Sequence, residues 1–331
     1  MTTAEAIALV TTARTPDDLF GGDFPHRAYR RLARLLHPDL APGAEAAEAF
    51  SRLARLWAAR DGASASKGAP KGASERAKET VITTRRGTYR IGGVFRRGAS
   101  AVLYESGPDT LLKLPRSHAD NDLMRREAES LETIARDGDP LLLPYVPRVV
   151  ESFRHRSGGI ERQANVLSRV PDGFLSLEEV RRRRPVLDVR DAAWIWRRLL
   201  VVVGAAHRAG VAHGAVFGHH VLVHPLDHGL VLVDWSQSVP LGTPITALVA
   251  RHRDDYPAGV LARRPATPAT DIHLATRCVA ALMGDRVPAP VRNFVRGSLL
   301  SPPNDAWRLL GELDDLLDDL YGPRKYRPLH L

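Results

Sequence analysis

Three groups of residues in this chain have the types and spacing to do chemistry. One is the stretch "VAHGAVFGHHVLV" at residues 211–223, where His213, Gly214 and Ala215 precede an apolar strand and His219 and His220 lead into it. Another is the run His220, His224 and His228, whose four-residue period would align metal ligands along one face of a helix. Pro225 and Gly229 make that segment a hairpin between two apolar strands instead, which argues against zinc there. The last is His37, Pro38 and Asp39, set in "LLHPDLAPGAE" between two helical patterns. The earlier pattern places Tyr29, Leu32, Ala33 and Leu36 on one face and Arg27, Arg30, Arg31 and Arg34 on the opposite one, so a cationic surface leads into the His-Pro-Asp turn.

The elements that must position these groups fall into two bodies. Residues 1–60 are helical, with Phe50, Leu53, Ala54 and Trp57 marking a second helix that pairs with the basic one as a hairpin. Residues 61–80, "DGASASKGAPKGASERAKET", carry no large apolar side chain and read as a flexible linker with a span of roughly 25 Å. From 81 to 331 the pattern is β-rich, then α-rich. The runs "TYRIGGVF", "SAVLYES" and "DTLLKLP", the helix "NDLMRREAESLETIARDG" and the strand "ANVLSRV" form a first lobe to about residue 170. From about 171 onward "VRDAAWIWRRLLVVVGAAHRAG", "TDIHLATRCVAALMG" and "DAWRLLGELDDLLDDLYG" make a helical lobe. The expected fold class is α+β.

Composition narrows the function classes. With 44% hydrophobic and 26% charged residues among 331, the chain folds rather than staying disordered. One cysteine, Cys278, excludes an intramolecular disulfide and a cysteine-based zinc site. No apolar run is long enough for a membrane span, and the N-terminus lacks a basic leader, so a cytoplasmic protein without membrane contact is expected. The net charge of +9 permits nucleic-acid binding as a third-ranked function. The densest basic run, Arg181 to Arg184, has no interleaved aromatics and reads as a helix end, its cations near the negative pole.

"YRRLARLLHPDLAPGAEAAEAFSRLARLW" resembles the second helix, H-P-D loop and third helix of the J-domain, the DnaJ-type co-chaperone module. A short "TPDDLFGG" stands where that family has a fuller first helix. The resemblance implies that Arg30, Arg31, Arg34, His37, Pro38 and Asp39 dock on a DnaK-type chaperone.

The larger body resembles the protein-kinase fold, bilobal, through signposts in the family's order over roughly 240 residues. On that resemblance Lys113 binds nucleotide phosphates, Glu127 pairs with it, Asp234 binds Mg²⁺, and Asp271 is the aspartate of a helix below the loop. "HGAVFGHHVLV" lines up with the catalytic loop, His213 at its histidine. Ala215 stands where the family has its catalytic Asp and His220 where it has a metal-binding Asn, so the loop is degenerate. Phe217 replaces a phosphate-reaching lysine, and Gly98 alone remains of three loop glycines. These departures imply a pseudokinase that binds ATP with Mg²⁺, or a client protein, while the helical module recruits the chaperone. The alternative they leave is an active, atypical Ser/Thr kinase, with His219 or another aspartate as base.

Overall fold

The computed structural model describes residues 1–20, 25–36, 80–285 and 287–331, with single positions between 41 and 56. The chain divides into two compact units, Met1–Arg76 and Ala77–Leu331. Among the described residues no helix is long and apolar enough to cross a membrane.

In the first unit the helices are α1 (Thr3–Thr12), α2 (Pro16–Phe20) and α3 (Pro25–Leu36), followed by helical positions between 45 and 56. Helix α1 starts at a capping box, in which Thr2 accepts from the Glu5 amide and Glu5 accepts from that of Thr2. Its last carbonyls, of Val10 and Ala13, accept from the Arg52 guanidinium at 3.1 and 2.8 Å. The apolar face read from the sequence is the one buried: Leu32, Leu36 and Leu53 join Ala6, Val10 and Phe20, with Tyr29, Ala33 and Phe50 packed at the edge. Arg31 is exposed. His37, Pro38, Asp39, Ala54, Trp57 and the side chains of Arg30 and Arg34 lie outside the described residues, as does the predicted linker up to residue 79. Thr80, assigned to the linker from the sequence, is a strand residue that pairs with Ile91.

The second unit runs from strands to helices, as the sequence predicts. A ribbon of β1 (Thr80–Thr83) and β2 (Thr88–Ile91) precedes a five-stranded antiparallel sheet. That sheet is built from β3 (Val94–Arg97), β4 (Ala101–Glu105), β5 (Thr110–Pro115), β6 (Val149–Ser157) and β7 (Ile160–Ser168), in the order β3-β4-β5-β7-β6. Lys113 sits mid-strand in β5, opposite Leu103 on one side and Asn165 on the other. Helix α4 (Asn121–Asp137) packs on β7 and buries Leu123, Met124, Glu127, Ala128, Leu131 and Ile134, a helical-period stripe with one carboxylate in it.

The helical half is built around α6 (Val189–Arg208), which buries Trp194, Trp196, Leu199, Leu200 and Val203 and leaves Arg190 and Arg208 exposed. Before it come β8 (Leu175–Ser176) and α5 (Leu177–Arg183); after it come β9 (Val211–Ala212), the hairpin β10 (Val221–His224) and β11 (Gly229–Leu232), and β12 (Val239–Pro240). Helices α7 (Ala258–Leu261), α8 (Pro268–Met283), α9 (Ala289–Leu300) and α10 (Ala306–Tyr321) complete it. Arg181, Arg182 and Arg183 fill the last turn of α5, against its negative pole. The C-terminal segment packs back on this half: Leu329 is 1% exposed and its amide donates to the Pro225 carbonyl at 3.2 Å.

Candidate functional site

Sheet register fixes the centre of the site. Lys113 and Asn165 are Cα partners on neighbouring strands, and α4 lays Glu127 against them. Lys113 Nζ donates to Glu127 Oε1 at 2.7 Å and to Asp234 Oδ1 at 2.8 Å. The pair is no surface ion pair, since Lys113 is 3% and Glu127 1% exposed. Asn165 Nδ2 holds the other Glu127 oxygen at 3.1 Å, and the Trp235 amide donates to Oε1 at 3.2 Å. Both oxygens of the buried carboxylate thus meet a donor, as a charge in a low-dielectric interior requires. Burial opposes the charge on Lys113, but the Asp234 and Glu127 carboxylates outweigh it and raise its pKa. Burial likewise opposes ionisation of Asp234, yet Lys113 and His220 hold it well below the usual carboxylate range.

Asp234 follows β11 with φ 61°, ψ 71°, a left-handed bend that turns its carboxylate toward Lys113 and leaves it 30% exposed. Ser236 Oγ also donates to Asp234. Trp235 is fully buried edge-on against the His213 ring, 4.5 Å between centroids.

The loop before β10 is shaped from beneath. Asp271 of α8, fully buried, accepts from the His213 amide at 2.7 Å and the Gly214 amide at 2.8 Å, with His207 Nε2 at 3.0 Å. Gly214 is left-handed at φ 73°, and a Cβ there would stand 2.8 Å from the Gln237 carbonyl oxygen. The glycine after His213 is therefore a steric requirement. His213 is held as one neutral tautomer: Nε2 donates to the Val233 carbonyl at 3.2 Å and Nδ1 accepts from the Ala215 amide at 3.2 Å. Burial, with His220 adding to it, pulls its pKa down to about 4.

Ala215 is fully buried and offers no polar side-chain atom. His220 bridges the Ala215 carbonyl, 2.8 Å from Nδ1, and Asp234 Oδ2, 3.2 Å from Nε2. An imidazole in that place gives no oxygen to a hard cation and occupies one Asp234 oxygen. Lys113 fits a phosphate and Asp234 fits one Mg²⁺, whereas position 220 does not fit a second. His219, the alternative base, has its pKa lowered to about 2, by burial first and then by His220, Arg251 and His252. A group that binds protons so weakly takes one from a hydroxyl poorly.

The structure thus brings Lys113, Glu127, Asp234, His213, Ala215 and His220 into one neighbourhood. Gly98 lies in the turn from β3 to β4, where its amide donates to the Ala101 carbonyl at 2.8 Å. His224 and His228 do not converge with His220: His224 faces Asp227 at 3.1 Å, and His228 stacks on Trp194 and meets the Arg327 carbonyl at 2.7 Å. Asn165 and His207 were not singled out from the sequence, because neither carries a motif of its own.

Residues 116–241 match the family described as Lipopolysaccharide kinase (Kdo/WaaP) family. The match spans α4, the loop and Asp234, begins just after Lys113, and does not extend to the first unit. No curated protein matches the chain. The second unit is kinase-like.

Proposed function

We propose that the second unit binds ATP with Mg²⁺ and is an atypical phosphotransferase that works without a general base. The observation that carries this reading is Lys113 buried between Glu127 and Asp234, a cation held by two carboxylates. Asp234 would hold the metal ion, which would neutralise charge on the phosphates. With a methyl at residue 215 no side chain there takes the proton of an acceptor hydroxyl, and transfer is slower by about 10² to 10⁴. The acceptor is a hydroxyl. The family name points to a lipopolysaccharide sugar, and Ser/Thr protein side chains are the other class to try.

The test is a thermal-shift series with ATP, with and without Mg²⁺, together with transfer of labelled γ-phosphate. Stabilisation by ATP that is lost in Lys113→Ala, and slow transfer lost in Asp234→Ala, are expected. Indifference to ATP in the wild-type chain refutes the reading; binding without any transfer reduces it to a nucleotide-binding pseudokinase.

A second reading concerns the first unit, where α3 buries Leu32 and Leu36 and exposes Arg31. A J-like module would present Arg30, Arg31 and Arg34 with His37, Pro38 and Asp39 to a DnaK-type chaperone, near a client protein held by the second unit. Stimulation of a chaperone's ATPase by the full chain, abolished by Asp39→Asn, supports it; no stimulation by the wild-type chain ends it.

A further inference from the structure

Beside the loop, away from the lysine cluster's own hydrogen bonds, three side chains from separate segments turn toward one another. Glu178 is in the first turn of α5, His219 comes from the loop before β10, and His252 lies in the 3-10 turn Ala250–Asp255. Their ligand atoms all lie within 4.8 Å of one another, the set of this kind found among the described residues. His219 Nδ1 is 3.4 Å from Glu178 Oε1 but is not aligned for a hydrogen bond. That nitrogen and His252 Nε2 are both buried with no hydrogen-bond partner among the described residues. Two inward-facing imidazole nitrogens without partners are costly unless something accepts their lone pairs or protons.

The surroundings suit a metal ion. His252 Nδ1 stands 2.8 Å from Asp255 Oδ2, and Asp255 Oδ1 is gripped by Arg277 at 2.6 and 3.0 Å. A carboxylate behind the far nitrogen fixes the tautomer that aims Nε2 inward, as outer partners of metal-bound histidines do. Phe217 stacks on the His252 ring at 4.2 Å and lies parallel to the His219 ring, which holds both rings in near-parallel planes. Arg251 reaches Glu178 at 3.4 Å from a half-exposed position and can swing into solvent when an ion takes its place.

We propose that Glu178, His219 and His252 bind a divalent transition-metal ion, zinc being the one to test. Two imidazoles and a carboxylate without a thiolate suit zinc, cobalt or nickel and disfavour Mg²⁺ and Ca²⁺, which take oxygen ligands. Three protein ligands leave one tetrahedral position for water or a substrate oxygen. Because His219 precedes His220, which holds Asp234, an ion here would pin the loop next to the kinase-like site. The site is independent of whether nucleotide binds.

The experiment uses the full chain, stripped with a chelator and titrated with Zn²⁺ against a chromophoric indicator of micromolar affinity. Co²⁺ serves as a spectroscopic probe of tetrahedral geometry. One ion per chain is expected, weakened about 100-fold or more in His252→Gln and Glu178→Gln, and about tenfold in Asp255→Asn, a positioning residue. His224→Gln, in the hairpin, should bind as the wild type does. No saturable binding, or equal affinity in Glu178→Gln, overturns the proposal. Glu178 is half-buried, its side chain 44% exposed, so its substitution serves even where His252→Gln fails to fold.

Discussion

At Glu127 a single carboxylate answers Lys113, Asn165 and the Trp235 amide, all buried or nearly so. Glu127→Ala should therefore lower stability by about 3 to 5 kcal/mol in urea unfolding, because it strands a buried ammonium with one partner. Arg308→Ala, which breaks an exposed pair with Glu312 at 2.9 Å, should change it by less than about 1 kcal/mol. Equal effects would show that the cluster is solvated in solution. Gly214→Ala meets a backbone oxygen at 2.8 Å and a left-handed φ together, and a loss of about 1 to 3 kcal/mol in the same assay is expected. Lys113, Glu127 and Asp234 were legible in the sequence because each sits in a short motif at a recognisable spacing. Asn165 was not, because its role comes only from lying opposite Lys113 in the sheet. Glu178 and His252 were missed for a similar reason: they reach His219 from segments dozens of residues away, and no local pattern joins them.

Among the elements, the hairpin of β10 and β11 shows both what periodicity reveals and what it omits. Pro225 and Gly229 marked the turn, and the register confirms it, with His224 opposite Gly229. What packs on that turn was less legible. Of Tyr321, Tyr326 and Leu329, the two tyrosines are 40% and 56% exposed and Leu329 is buried. Tyr326 sets its ring 4.8 Å from that of His228, and its hydroxyl donates to the Leu226 carbonyl. Arg327 adds ion pairs to Asp188 and Asp191 at 3.8 and 3.4 Å. Leu329→Ala should lower stability by about 2 to 4 kcal/mol, the usual range for emptying a buried leucine site. A melting temperature that does not move would mean the segment contributes little to the second unit. The strand-then-helix order was the easiest feature to read, since the period changes from two to 3.6 near residue 171 while the lobes keep their chain order.

On the scale of the whole molecule, stability should depend on pH in two windows. His213 has its pKa lowered to about 4 by burial, against about 6.5 unfolded, so between those values the unfolded chain takes up a proton that the folded chain refuses. Stability is then full above about pH 6.5 and falls by about 3 kcal/mol as the pH drops toward 4. Asp271 shifts the other way for its type: burial opposes its charge, but His207, His213 and the Gly214 amide lower its pKa, so its contribution is lost only at still lower pH. Urea midpoints at pH 7.5 and 5 check the first window, to which the lowered pKa of His219 adds a drop of the same sign; His213→Phe should lessen the fall, and an equal fall in that variant would assign it to other groups.

Asp271 holds the loop by main-chain amides, and the side chain at residue 215 takes no part in that grip. The shape of the bend is thus set from beneath, by one aspartate gripping main chain, and the identity of the residue that follows it is left out of the fastening.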